Sequence, residues 1–205
     1  MKTLRLITLL LVVTSILISC GNIKNKIEDS AKEAIEEVAK DLKENQNSFN
    51  TIQINNLYSI DVPDFLVKTN SLNDEASLQY ENTAKEYYVI VIDEAKHDFL
   101  EALNNELNED EAYTIEEVLE PYSYLQFTTF ANEDQYYDFE YIDVNGLNGQ
   151  QLDITNYFES LNVFYKMACI EGNDNLYFVV TWTLDSYKDK HNDSMQKIID
   201  SFKEI

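Results

Sequence analysis

The sequence predicts an α+β fold, an antiparallel β-sheet flanked by helices in an α/β/α sandwich, preceded by a signal peptide and a helical stalk. Three observations predict it. Apolar residues alternate with period two over much of Leu57 to Leu184, which gives strands two distinct faces. That period gives way to helical spacing between Phe99 and Leu125, and again between Met195 and Phe202. Ahead of these lie an uncharged apolar run and a charged amphipathic stretch. The division that follows is residues 1–19 as signal peptide, 20–50 as a lipidated cysteine with a charged stalk, and 51–205 as the domain.

Lys2 and Arg5 give the N-terminus its positive charge, and Leu6 to Leu17 form an uncharged core too short to span a bilayer as a helix. It ends in Leu17-Ile18-Ser19-Cys20-Gly21. This resembles the lipobox of bacterial lipoproteins, with an aliphatic residue at −3, small residues at −1 and +1, and the acceptor thiol. The resemblance implies cleavage before Cys20, diacylglycerol on its sulfur and often a further acyl chain such as palmitate on the new amino group. Each buried methylene contributes about 0.8 kcal/mol, so the two chains of a diacylglyceryl cysteine hold a protein at a membrane stably. Asn22 follows at +2 in place of a retaining Asp, which favours an outer membrane facing the periplasm. In a host with one membrane, the expectation is its outer face.

From Ile23 to Asn45, Ile23, Ile27, Ala31, Ala34, Ile35, Val38 and Leu42 recur at helical spacing, and Glu28/Lys32 and Glu36/Lys40 are ordered for i,i+4 support. The stretch reads as a semi-rigid spacer of about 30 Å. Its alternative is a short coiled coil or partner-docking helix. Asn45-Gln46-Asn47-Ser48 closes it as a polar hinge.

The domain then opens with Leu57-Tyr58-Ser59-Ile60-Asp61-Val62-Pro63, a strand stopped by proline. Leu78 and Tyr80 mark a second strand, and Tyr87-Tyr88-Val89-Ile90-Val91-Ile92 is apolar on both faces, as a covered central strand is. Phe99, Leu100 and Leu103 follow helical spacing, as do Ile115, Val118, Leu119, Tyr122 and Leu125, which Pro121 must kink or divide. Phe139 to Val144 and Gln151 to Tyr157 flank Asn145-Gly146-Leu147-Asn148-Gly149, a hairpin signal. Leu161 to Ile170 connects through Gly172-Asn173-Asp174 to a strand from Leu176 to Leu184. On that strand Leu176, Phe178, Val180, Trp182 and Leu184 are expected to face the core, with Tyr177, Thr181 and Thr183 opposite. Asp185 or Ser186 can cap a last helix whose stripe is Met195, Ile198, Ile199 and Phe202.

This order of elements, with Tyr58-Ser59-Ile60-Asp61-Val62-Pro63, Val144-Asn145-Gly146-Leu147 and Ile198-Ile199-Asp200-Ser201-Phe202-Lys203, resembles the PsbP-like family over about Leu57 to Phe202. That family takes in the photosystem extrinsic protein, a small Ran-binding nuclear-import factor and bacterial lipoproteins of the DcrB type. The resemblance implies an antiparallel sheet between helices and a binding or assembly role without a shared catalytic site. The surface motifs of the two eukaryotic branches are missing, so photosystem and Ran roles are not carried over.

Formal charge is −23, and without Lys2 and Arg5 the remainder has 13 basic against 38 acidic groups, −25. No basic stripe is present to follow a phosphate backbone, so nucleic acid is excluded as a partner. Anionic headgroups are repelled too, so membrane attachment must be hydrophobic. The acidity mainly implies solubility and selection for cationic or metal-bearing partners, and does not by itself define a site.

Chemistry-bearing residues are few. Cys169 alternates with Met167, Tyr165 and Val163 on one strand face and reads as a core thiol. His97 and His191 lack a motif and read as exposed, helix-flanking positions. The acidic clusters Glu106-Leu107-Asn108-Glu109-Asp110-Glu111 and Glu171-Gly172-Asn173-Asp174-Asn175 raise calcium, yet neither has the spacing of a calcium loop, and solvated turns explain them as well. No phosphate loop, zinc spacing or nucleophile elbow occurs. The expectation is no catalytic residue, no metal and no cofactor.

Tyrosine is abundant at 14 residues, more than one core ordinarily hides. Tyr87, Tyr88, Tyr136, Tyr137, Tyr141 and Tyr157, with the pair Tyr122/Tyr124, suggest an aromatic interaction surface on the sheet. The alternative is rings packed on strand faces with hydroxyls in water. The leading expectation is a lipid-anchored envelope module that binds or assembles with another envelope protein and is not an enzyme. A lipoprotein holding a small apolar or cationic ligand between sheet and helices is second, and a carboxylate hydrolase third.

Overall fold

The computed structural model describes residues 48–105, 107, 112–130, 139–158 and 160–205. The signal peptide, Cys20, the stalk, Tyr136, Tyr137 and the acidic cluster after Asn105, Leu107 excepted, lie outside them.

The described residues form β1 (Phe49–Ile54), β2 (Tyr58–Pro63), β3 (Val67–Lys68), β4 (Leu78–Asn82), β5 (Tyr87–Ala95) and α1 (Lys96–Asn105). A 3₁₀ turn at Ile115–Glu117 leads to α2 (Leu119–Thr128). There follow β6 (Glu140–Val144), β7 (Leu147–Phe158), β8 (Leu161–Glu171), β9 (Asn175–Leu184), α3 (Lys188–Asp200) and β10 (Lys203–Glu204). A seven-stranded antiparallel sheet has the order β3-β4-β5-β9-β8-β7-β6, and a three-stranded sheet the order β1-β2-β10. The expected α+β sandwich is present, with helices on both faces of an antiparallel sheet.

Both faces of the large sheet are covered. On one, Tyr87, Val89 and Val91 of β5, Phe164 and Ala168 of β8, and Tyr177 and Val179 of β9 meet Met195, Ile198 and Ile199 of α3 and Tyr58, Ile60 and Val62 of β2. On the other, Ile90, Met167, Cys169, Phe178 and Val180 meet Phe99 of α1 and Leu119, Tyr122 and Phe127 of α2. The one-faced reading of the last strand is therefore corrected. Tyr177, Thr181 and Thr183 are as buried as the apolar set opposite them, because α3 and the small sheet lie over that side.

Pro121 falls in the first turn of α2, where its missing N–H would have no intrahelical acceptor, and the 3₁₀ turn precedes it. Proline thus divides the helical stretch and does not kink it. The β6–β7 hairpin turns on Asn145 and Gly146 alone, both with positive φ (55° and 88°), the twist-matched two-residue turn that Asn-Gly favours. β1 is an element that the alternation did not reveal. Only Phe49, Ile52 and Ile54 of it are even half-buried, so it reads as polar linker.

Polar groups enter the core where they find partners. Lys166 is 4% exposed on β8, and its Nζ donates to Asp153 Oδ2 at 2.6 Å and Gln196 Oε1 at 3.0 Å. Gln151 and Gln196 exchange amide bonds of 3.0 Å beside it, which joins β7 to α3. His191 is 3% exposed, which corrects its reading as a helix-flanking surface residue. It lies one turn before Met195 and so extends the apolar stripe of α3, with its ring 4.7 Å from that of Tyr87.

Burial, then the charge of Lys190, lowers the His191 pKa from 6.5 to about 4. Between those values the unfolded chain binds more protons than the folded one, so the stability tied to neutral His191 is complete above pH 6.5 and lost toward pH 4. Urea unfolding of the chain and of His191→Phe at pH 7 and pH 4 should show the native chain losing up to about 3 kcal/mol more on acidification. Equal losses would place the imidazole in contact with water. For the lysine network, Asp153→Ala strands a buried ammonium and should cost about 2 kcal/mol, while Lys166→Met should stay within about 1 kcal/mol. Denaturation midpoints in the reverse order would show that Lys166 is not desolvated.

Candidate functional site

Of the tyrosines singled out in sequence, the described Tyr87, Tyr88, Tyr141 and Tyr157 do not share one surface. Tyr87 belongs to the core at 0% exposure, because its strand is paired on both edges and covered on both faces. Its hydroxyl meets Ser194 Oγ at 3.0 Å, and burial pushes its pKa up. Tyr88 points to the opposite face, stacks on Trp182 at 5.2 Å and donates its hydroxyl to Glu86 at 3.0 Å; burial, then that acceptor, pushes its pKa up to about 12. Tyr141 and Tyr157 are exposed at 73% and 72%. Tyr141 pairs with Gln150, an odd number of residues from Tyr157 along β7, so the two rings project from opposite faces of the sheet.

Cys169 is buried and unpaired, and burial raises its pKa, which removes it as a nucleophile. His97 is exposed, 3.8 Å from Asp98 and 4.0 Å from Glu101. The second acidic cluster is a tight β8–β9 turn. Glu171 receives Lys96 Nζ at 2.7 Å, the Asp174 carbonyl accepts the Lys96 backbone N–H at 2.9 Å, and Asn173 donates its backbone and side-chain N–H groups to Glu204. Among the described residues no three His, Cys, Asp or Glu side chains converge as metal ligands would.

What the fold does bring together is an open groove of about 620 Å³ at the β6 end of the large sheet. Its floor is the helix-side face of the sheet, with Tyr141 and Asp143 of β6, Asn148 and Gln150 of β7, and Glu171 of β8. Its wall is the segment before and into α2, with Tyr113, Glu116, Glu117, Leu119 and Glu120. Local bonds fix that wall. Asn104 of α1 grips the Tyr113 backbone through its N–H and its carbonyl, both at 2.9 Å. Glu117 accepts from the Thr114 N–H at 3.0 Å and hydroxyl at 2.9 Å, a capping box whose bonds lower the Glu117 pKa. Glu171 is neutralised by Lys96; among the described residues Glu116, Glu120 and Asp143 have no counter-ion, and none that lines the groove is basic. Gln150 is 2% exposed, and its Oε1 has no hydrogen-bond partner among the described residues.

Of these residues only Tyr141 and the turn residue Glu171 carry a functional reading in sequence, while Leu119 and Asn148 are read as structural. Thr114-x-x-Glu117 is a capping-box signature that could have located the wall. Nothing local signals that the wall faces β6.

No family model and no curated protein matches the sequence. Among solved structures, the cyanobacterial PsbP of Synechocystis sp. PCC 6803 is similar over 77% of this chain and 93% of its own, at 11% identity and a TM-score of 0.51. The fold is PsbP-like. The Ran-binding protein Mog1p of Saccharomyces cerevisiae covers 76% of this chain and 95% of its own at 11% identity and a TM-score of 0.46. A protein of Bacteroides thetaiotaomicron covers 78% of this chain at 7% identity and a TM-score of 0.47, and this chain spans about half of it, 49%. In the PsbP-like fold of this chain, the groove lies between residues 113–120 and the β6 end of the large sheet.

Tyr87→Phe should cost about 1 kcal/mol through the lost bond to Ser194, and Tyr87→Ala about 3–5 kcal/mol. Tyr141→Ala should change stability by less than about 0.5 kcal/mol. Thermal unfolding checks all three, and a large loss for Tyr141→Ala would show that this ring supports the fold.

Proposed function

We propose that the chain is a lipid-anchored cell-envelope protein that works by binding, not turnover, and engages another envelope protein. The observation that carries the reading is Leu17-Ile18-Ser19-Cys20-Gly21 behind a basic and then apolar N-terminus, the pattern that lipid attachment and cleavage require. No helix among the described residues is long and apolar enough to cross a membrane. In this reading the lipid on Cys20 is the anchor. Asn22 favours the outer membrane, with the domain in the periplasm; in a host with one membrane, the site is its outer face.

A binding role is supported by the placement of the polar groups. The thiol of Cys169 and the imidazole of His191 are enclosed on opposite faces of the sheet, and unpaired acids gather at one edge. The sheet–helix interface that a small apolar ligand would need is filled by Phe99, Tyr122, Phe127 and Phe178. This leaves surface sites for a ligand, and the groove is the one where unpaired acids gather.

Expressed in a bacterium with lipoprotein processing, the chain should take up radiolabelled palmitate and partition into the detergent phase of a Triton X-114 separation. Cys20→Ala should do neither. Equal labelling of the variant, or a native chain wholly in the aqueous phase, would sink the lipid anchor.

A further inference from the structure

We infer that the groove is a docking site for an extended, basic segment of the envelope partner, which adds to the free edge of β6 as a further strand. This deepens the binding-module reading and rests on it.

β6 ends the seven-stranded order, and among the described residues no strand pairs with its outer edge. The hairpin closes with Val144 opposite Leu147. In antiparallel pairing hydrogen-bonded and non-bonded pairs alternate, so Asp143 opposite Asn148 and Tyr141 opposite Gln150 are the non-bonded ones. The backbone N–H and C=O groups of Tyr141 and Asp143 therefore point away from β7. Side chains of the same two residues line the groove. A strand added there would find its backbone partners and, on one of its faces, Asp143, Glu116 and Glu120.

Charge selects what pairs. The edge carries Glu140 and Asp143, which repel a second copy of this strand and attract a basic one. Cations at every second residue of a strand stand about 6.6 Å apart, which suits carboxylates spread along a groove better than one compact ion does. Exposed Tyr141 and partly exposed Tyr113 offer ring faces to lysine or arginine stems.

Gln150 supplies an independent observation. A buried amide oxygen without a donor is unfavourable by itself, and this one lies on the groove floor, directly across the strand pair from Tyr141. An N–H donor arriving from the groove would supply the missing partner. The acids and this acceptor ask for the same thing, a cationic donor.

The test uses the full mature chain in dodecyl maltoside micelles and a capped, fluorescein-labelled ten-residue peptide of alternating Lys and Thr, followed by anisotropy at low salt. Saturable binding is expected. It should weaken at least tenfold in the triple variant Glu116→Gln/Glu120→Gln/Asp143→Asn, and less than twofold in Asp64→Asn/Glu75→Gln/Asp189→Asn, which removes equal charge elsewhere. N-methylation of alternate residues keeps the peptide's charge and removes edge bonds, and should also weaken it at least tenfold. Absent or non-saturable binding, equal losses in the two triple variants, undiminished binding of the N-methylated peptide, or equally tight competition by spermidine would each overturn the proposal. Cross-linking pull-down from envelope membranes separates this from the parent reading. A partner captured by the native chain and by the groove variant alike sinks the groove and leaves the module, whereas no specific partner for the native chain counts against the module.

Discussion

The pairing of β9 between β5 and β8 constrains every other element. All ten of its residues have cross-strand neighbours, eight of them on both sides, and the apolar demand is as strong on one face as on the other. Leu176, Phe178 and Val180 require cover from one side, Tyr177 and Val179 from the other. Two short helices supply the first, and α3 with the small sheet the second. Burial of this much apolar surface, at about 25 cal/mol per Å², is the term that can oppose the entropy of ordering so many strands. The polar residues in the middle strands conform to it. Thr181 donates its hydroxyl to the Lys166 carbonyl at 3.0 Å, and Lys166 reaches Asp153 beyond the apolar zone.

The last residues of the chain lock the second layer in place. The rings of Tyr58, Tyr177 and Phe202 pack at centroid distances of 4.7 to 5.5 Å, which joins β2, β9 and the end of α3. Asn145, in the β6–β7 turn, donates to the carbonyls of Asp200 and Phe202, both at 2.8 Å. Glu204 accepts from Asn173 and from the Tyr177 hydroxyl at the β8–β9 turn. At Gly172 a Cβ would run into the Glu204 carboxylate and the Tyr177 ring. Two turns far apart in sequence thus depend on the final helix, and a slip in either would uncover the stripe of α3.

Strand faces and helix stripes were legible in sequence because periodicity is a local property. Tyr87 to Ile92 read as a strand covered on both sides, and it is one. That reading already implied that Tyr87 could not be surface, but tyrosine's amphipathic character drew it into an interaction patch. His191 was misplaced for a related reason, since its class suggests solvent while its spacing from Met195 suggests core, and the spacing prevails. β1 escaped notice because an edge strand over a small sheet needs only intermittent apolar residues. The groove was illegible because its acids come from Glu116, Glu120 and Asp143, which are joined only by the way residues 113–120 meet the β6 end of the sheet. With 38 acids in the chain, no sequence rule picks those three.

A sheet filled on both faces leaves function to its edges, and the edges are not equivalent. β3 offers two residues and β10 two, too few to hold a strand. β1 is longer, but Phe49-Asn50-Thr51-Ile52-Gln53-Ile54 carries no charge to select a partner, and Lys197 already lies over the Phe49 ring at 3.8 Å. Among the described strands, β6 alone combines an edge that no other described strand pairs, exposed tyrosine, acidic side chains and a neighbouring wall held by Asn104 and Thr114. An unprotected edge invites association, and acids along it restrict that association to cations. If the groove docks a basic segment as proposed, the acidic balance of the chain has a local use at this edge, as a filter for that partner's charge.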